Sequence, residues 1–125
     1  MVILNIKHCN SKVYRNNTKK WKRQRVTRGF ADIDVWNLDL YLLELLPAMI
    51  DHLAKTSDHW PDDKFSEFKD WQNYLFNISN KFREAYNTFC KICPVEEKEN
   101  NRKKAQSLIK EAFNDMGEVF FSLWD

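Results

Sequence analysis

Apolar side chains recur at helical spacing, every three or four residues, in three stretches of this 125-residue chain. In the first stretch, two neighbouring apolar stripes run along Val35, Leu38, Leu42, Leu45, Met49 and Leu53 and along Trp36, Leu40, Leu43, Ile50 and Ala54. Few positions remain for solvent. The pattern therefore predicts a central helix that is covered by other elements on most sides.

Two features bound and interrupt this first helix. Its natural N-cap is Asp32 or Asp34, because a short carboxylate after Gly29 can accept from the free amides of a first turn. Pro47 lies inside the pattern, where its missing amide and its ring either kink the helix or divide it in two. We expect a kink, because the periodicity continues unchanged to Leu53.

The second stretch has the most regular pattern in the chain. Its apolar positions step alternately by three and four, as in the seam of a coiled coil or a tightly packed bundle: Phe68, Trp71, Leu75, Ile78, Phe82, Ala85 and Phe89. The helix is predicted to end near Cys93, before Pro94. Such a seam can pack within one chain or between two chains, so monomer and dimer both stay open.

The third stretch begins with charged residues at 96–104 and becomes amphipathic from Ala105 to Trp124. Two Gly and three Pro are few for 125 residues, which favours long helices with short connections. The predicted fold is therefore all-α: a three-helix bundle over residues 29–125, with a connection at 56–63 between its first two helices.

Residues 1–28 form a basic N-terminal arm. The arm holds nine of the 20 Lys and Arg residues and none of the 18 acids, so the overall charge of +2 conceals a basic arm joined to an acidic body. Residues 2–6 have β character, as a short strand or as an extended tail on the bundle. Residues 10–28 lack apolar periodicity, and we expect them to be mobile until a partner orders them.

The candidate partner-binding residues are cationic and aromatic side chains of the arm, with one tryptophan of the 56–63 connection: Lys19, Lys20, Trp21, Arg23, Arg25 and Trp60. Dense positive charge beside an aromatic ring suits non-specific nucleic-acid binding. The same composition suits docking on an acidic protein surface, and a solubilising tail is the third interpretation. Trp21 argues against the tail, because an exposed tryptophan is a better interface anchor than solubiliser.

Asp39 shares an otherwise apolar face with Trp36 and therefore needs a cationic partner. Arg28 or Arg25 is within reach across the Gly29 bend, so we predict an ion pair that fixes the arm to the bundle.

No set of residues forms a self-sufficient catalytic motif, and the chain is predicted not to be an enzyme. Cys90 and Cys93 form a CxxC at a helix C-terminus, where the helix dipole does not favour thiolates. A zinc site would need two further ligands, and no second spaced pair is present. His52 and His59 have no nucleophile placed near them by pattern, so neither a metal nor a cofactor is predicted.

The cysteines indicate the cellular compartment of the protein, and the apolar segment bears on whether it spans a membrane. Three cysteines, an odd number and with no signal peptide before them, favour free thiols and the cytoplasm. The segment 33–53 contains four acids, each of which would cost about 2.5–3.5 kcal/mol in the middle of a bilayer. No membrane span is therefore expected.

Several short motifs resemble a family of small proteins of tailed bacteriophages of Gram-positive bacteria. The resemblance is carried by Arg28-Gly29-Phe30-Ala31-Asp32, by Asp34-Val35-Trp36-Asn37-Leu38-Asp39, by Trp60-Pro61 and by Phe120-Phe121-Ser122-Leu123-Trp124-Asp125. It covers about four-fifths of the chain. Arg28, Asp34, Trp36, Asn37 and Asp39 are predicted to have structural roles. The resemblance implies a phage accessory protein that acts in the infected cell. Such proteins often bind and inhibit a host protein, including bacterial immune effectors.

Overall fold

The computed structural model describes the backbone of residues 11–124 and the side chains of residues 17–124. The predicted strand or tail at residues 2–6 lies outside this range. Every regular element in the described range is helical, which confirms the all-α class. The helices are α1 (Ser11–Arg28), α2 (Asp32–Trp36), α3 (Leu38–Thr56), α4 (Phe68–Phe89) and α5 (Val95–Glu118), followed by a 3-10 turn at Phe120–Ser122.

The chain divides into two compact units, Met1–Leu42 and Leu43–Asp125, with the boundary inside α3. The described part of the first unit contains α1, α2 and the start of α3. The second contains the rest of α3, α4 and α5.

Residues 11–28 form helix α1, in contrast to the expectation that this part of the arm is mobile. Its Lys, Arg and Gln residues are good helix formers and it contains neither Gly nor Pro, so α1 needs no apolar stripe to be helical. The helix ends at Arg28, and the next residue, Gly29, has φ +88° and donates its amide to the Arg25 carbonyl at 3.0 Å. This left-handed residue reverses the chain into α2.

The predicted first helix is divided, but not at Pro47. Helix α3 continues through Pro47, and the division falls at Asn37, whose φ of −129° and ψ of 59° are not helical. Asparagine favours such breaks because its side chain competes with helical hydrogen bonding. The N-cap of α2 is Ala31 rather than Asp32 or Asp34. Asp34 is the third residue of the helix, and its carboxylate accepts a hydrogen bond from the Ala31 amide at 2.8 Å.

Helix α3 is not the covered central helix that its two stripes predict. Its buried face is one stripe only, Leu43, Pro47, Ile50 and Ala54. On the other stripe, Leu38 and Met49 are about half exposed. Two apolar stripes therefore do not guarantee two covered faces.

The middle of the seam predicted for helix α4 is confirmed, whereas Phe89 at its end is about half exposed. Helix α4 forms the main helix pair with α5. The buried seam residues are Trp71, Leu75, Ile78, Phe82 and Ala85. Helix α5 contributes the buried small residues Ala105 and Ala112, which allow close approach, and Phe113 contacts Phe82 edge-on at 5.1 Å. The α4 seam is therefore used within the chain. Both helices end earlier than predicted, α4 at Phe89 and α5 at Glu118.

Polar contacts tie the second-unit part of α3 to α4. Asp51 accepts hydrogen bonds from the buried Ser79 hydroxyl and from Arg83. On either side of this contact, Tyr86 donates to Glu44 at 3.1 Å and Gln72 donates to the Ala54 carbonyl at 2.8 Å. The helices therefore share a polar border beside their apolar faces.

Candidate partner-binding surface

The first unit has a small core of its own. Trp21, Ala31 and Ile33 are buried together, with Trp21 only 3% exposed. Trp36 lies edge-on to Trp21, with ring centroids 5.9 Å apart and planes at 87°. The prediction that Trp21 is exposed is therefore wrong, because the bend at Gly29 folds α2 back over it. Trp36 is 57% exposed and is the accessible tryptophan of this pair.

A buried ion pair holds α1 to α2. The Asp34 side chain is 2% exposed and accepts from Arg25 Nη2 at 2.7 Å and from Arg25 Nε at 3.1 Å. Burial raises the pKa of Asp34, but hydrogen bonds from Arg25 and the Ala31 amide, together with the Arg25 charge, outweigh burial and lower the pKa overall. Arg25, predicted as a partner contact, is therefore a structural residue.

Ion pairs do cross the bend, as predicted, but Asp39 forms neither of them. Arg25 binds Asp34 and Arg28 binds Asp32, while Asp39 is exposed. The left-handed bend brings the first two acids of α2 to the arginines, whereas Asp39 follows the break at Asn37. The ion pair predicted for Asp39 is therefore wrong: Asp34 and Asp32 form the pairs instead.

Asp32 collects the remaining polar contacts of the bend. Its amide donates to Gln24 Oε1 at 2.9 Å, its carboxylate accepts from Gln24 Nε2 at 2.9 Å, and Lys20 lies 3.8 Å away. Hydrogen bonds from Arg28 and then Gln24 lower the pKa of Asp32. Arg28 also donates to the Phe30 carbonyl at 3.0 Å and lies 4.4 Å from the centroid of the Phe30 ring. This network fixes the direction of α1 within the first unit.

Three cations of α1 remain directed to solvent. Lys19, Lys22 and Arg23 are exposed, and none forms an ion pair with another residue of the described part of the chain. Residues at this spacing of three and four share one face of a helix. We call these three residues the basic face. Lys22 was absent from the predicted contacts; its helical spacing from Lys19 is the signal that identifies it once the segment is known to be a helix.

Exposed apolar side chains lie on the α2 side of the same unit. Val35, Trp36 and Leu38 are 51%, 57% and 47% exposed. We call these residues the apolar group. The first unit thus displays both unpaired cations and apolar side chains.

The other predicted contact, Trp60, belongs to the second unit and has a structural role there. It is half-buried, donates its Nε1 hydrogen to the Phe65 carbonyl at 3.1 Å and packs against Phe68 at 5.8 Å between ring centroids. A tryptophan whose polar atom and ring are both used internally is a weak candidate for a partner contact.

One groove in the second unit has a volume of about 260 Å³ and both signs of charge, with the lining residues Leu43, Glu44, Pro47, Arg83, Tyr86 and Asn87. Its polar groups are largely used within the fold, since Tyr86 donates to Glu44 and Arg83 to Asp51. Burial, then the Glu44 carboxylate, raises the pKa of Tyr86 to about 12. Tyr86 is therefore not a base near neutral pH.

The two CxxC cysteines lie in different surroundings. Cys90 is exposed, and Cys93 accepts a hydrogen bond from Asn101 Nδ2 at 3.3 Å. In residues 17–124, no three His, Cys, Asp or Glu side chains are grouped to hold a metal ion. Over the same described range, no helix is both long enough and apolar enough to cross a membrane.

Comparison with known proteins adds no relative: no protein-family model, no curated protein and no solved structure matches the chain.

Proposed function

We propose that this chain is a non-enzymatic protein-binding module that docks on a host protein through the first unit and inhibits that protein by occlusion. The observation that carries the proposal is the basic face, whose three cations are solvent-exposed on a helix that is fixed by the buried Arg25–Asp34 pair. A helix held in place before binding loses less conformational entropy when a partner docks.

In this proposal the arm acts as a docking element, and α3, α4 and α5 form a three-helix scaffold. The α4 seam is buried inside the chain, which supports a monomer over a dimer built on that seam. The motif resemblance supports a phage accessory protein in the cytoplasm of an infected bacterium. A bacterial immune effector is the corresponding candidate target.

Nucleic-acid binding through the same α1 helix is the second candidate. The cations of the basic face favour it, because neutralised phosphates release counterions whatever the base sequence. The burial of Trp21 weakens it, since this ring is the one that would stack on a base. Trp36 would have to replace it.

Capture from lysate tests the proposal. The full chain, tagged at its C-terminus, is the bait in nuclease-treated lysate of a Gram-positive host, and bound proteins are identified by mass spectrometry. We expect one dominant host protein in stoichiometric amount. Recovery of nucleic acid from untreated lysate, weakened steeply by salt, with no host protein retained after nuclease treatment, would contradict the proposal and favour the second candidate.

A further inference from the structure

We infer that the first unit binds an acidic partner segment that also carries an apolar side chain. The inference rests on the proposed protein-binding function and adds the chemistry of the partner. It follows from two features of one unit: cations that no carboxylate of the described chain neutralises, and apolar side chains that are left in contact with water.

No carboxylate of the described first unit forms an ion pair with the basic face. Between residues 17 and 42 the acids are Asp32, Asp34 and Asp39. Asp34 is paired with Arg25. Asp32 contacts Arg28, Gln24 and Lys20. Asp39 follows the break at Asn37 and is exposed. The positive charge of the basic face is therefore available to carboxylates of a partner.

The geometry of the basic face favours carboxylates that are spaced along a segment. Side chains three and four residues apart on a helix lie about 5–6 Å apart between Cβ atoms. The guanidinium of Arg23 can hold one carboxylate with two parallel hydrogen bonds, whereas Lys19 and Lys22 act as point charges. A segment with two or three Asp or Glu residues would match this face.

The apolar group argues for a peptide rather than a phosphate backbone. Val35 and Leu38 offer a nucleic acid neither charge nor a stacking surface, but they can pack against an apolar side chain of a protein. Trp36 is the expected anchor, because its ring is about half exposed and is already held edge-on against the buried Trp21. An exposed, pre-oriented tryptophan is typical of interface hot spots.

The test is selection from a displayed library of random peptides of about 16 residues, long enough for about four helical turns, against the full-length protein. We expect the enriched peptides to have an excess of Asp and Glu together with at least one aromatic or large aliphatic residue. Enrichment of basic peptides, of uncharged peptides or of none would overturn the inference.

Variants then locate the site with the selected peptides. K19E/K22E/R23E is expected to weaken binding at least tenfold, whereas R102E/K103E/K110E makes the same charge change on an exposed part of α5 and is expected to have little effect. W36A is expected to weaken binding by about thirtyfold, as for a hot-spot residue, with Val35→Ser as a second variant if W36A alters the helical content.

The outcomes separate the inference from the proposed function. Equal binding by wild type and K19E/K22E/R23E would overturn the inference. The protein-binding function would still stand if the lysate capture had yielded a host protein. A labelled single DNA strand of about 20 nucleotides that displaces the peptide at about 0.15 M salt, where unspecific contacts are partly screened, would count against both.

Discussion

Replacing Asp34 by alanine is expected to release α1 from α2 within the first unit. The substitution removes a buried carboxylate that accepts three hydrogen bonds, two from Arg25 and one from the Ala31 amide. Breaking a buried pair by removing one partner costs about 3–5 kcal/mol. The Arg25 side chain is 22% exposed and can regain water, so we expect the lower end, about 3 kcal/mol.

Hydrogen exchange measures this release directly. A loss of about 3 kcal/mol corresponds to about a hundredfold faster exchange for α1 amides that are protected by docking. Asp39→Ala is the matched control, because it removes an exposed carboxylate from the same unit and should leave exchange nearly unchanged. Equal exchange of residues 21–28 in Asp34→Ala and wild type would refute the role of this ion pair.

The same pair predicts the direction of a pH effect. The pKa of Asp34 is lowered in the folded protein from an ordinary value of 3.8, so the ionised form is favoured by folding. This stabilisation is fully present above that ordinary value and is lost as the pH falls through the folded pKa. The difference in α1 exchange between wild type and Asp34→Ala should therefore shrink below about pH 4.

Two further predictions concern the bend and the second unit. Gly29→Ala should lower the free energy of unfolding by about 1–2 kcal/mol, because φ is +88° at this position. Gly117→Ala, in helix α5 with open space around the added carbon, should raise the free energy of unfolding by about 0.5–1 kcal/mol. Denaturant titrations in which both variants shift the same way would contradict this. Tyr86→Phe should remove the phenol that titrates near pH 12 in an absorbance titration, and persistence of that phenol would assign the pKa to another tyrosine. Because the folded pKa is raised, the stabilisation from Tyr86 is present below its ordinary value of 10.0 and is lost as the pH rises through about 12, and Tyr86→Phe should abolish this loss.

Helix α4 was the element that its sequence predicted best. A seam that alternates steps of three and four has only one helical interpretation, and all five of its middle positions are buried: Trp71, Leu75, Ile78, Phe82 and Ala85. The prediction of its C-terminus near Cys93 is less accurate, because Pro94 marks only the latest position at which the helix can end, and the helix ends at Phe89.

Helix α1 has no apolar periodicity that would reveal it in the sequence. Its charged residues favour a helix through backbone propensity, and only one large apolar side chain of its second half, Trp21, faces a core. A single buried residue produces no period. The sequence therefore predicts Trp21 as the contact, whereas the exposed ring belongs to Trp36.

The choice between Asp34 and Asp39 depended on the path of the chain. Both acids are close enough in sequence to reach Arg25, and spacing alone does not distinguish them. The left-handed Gly29 and the break at Asn37 decide the matter by placing Asp34 in the first turn after the bend. Sequence therefore predicted that an ion pair crosses the bend but not which carboxylate forms it.

The central claim, that the basic face binds a host protein, is tested most directly by quantitative capture with three baits. Wild type, K19E/K22E/R23E and R102E/K103E/K110E are compared in nuclease-treated host lysate, after circular dichroism has shown equal helical content. We predict that wild type and the α5 variant recover the same host protein in equal amount, and that the α1 variant recovers at least tenfold less. Equal recovery by all three baits would contradict the claim.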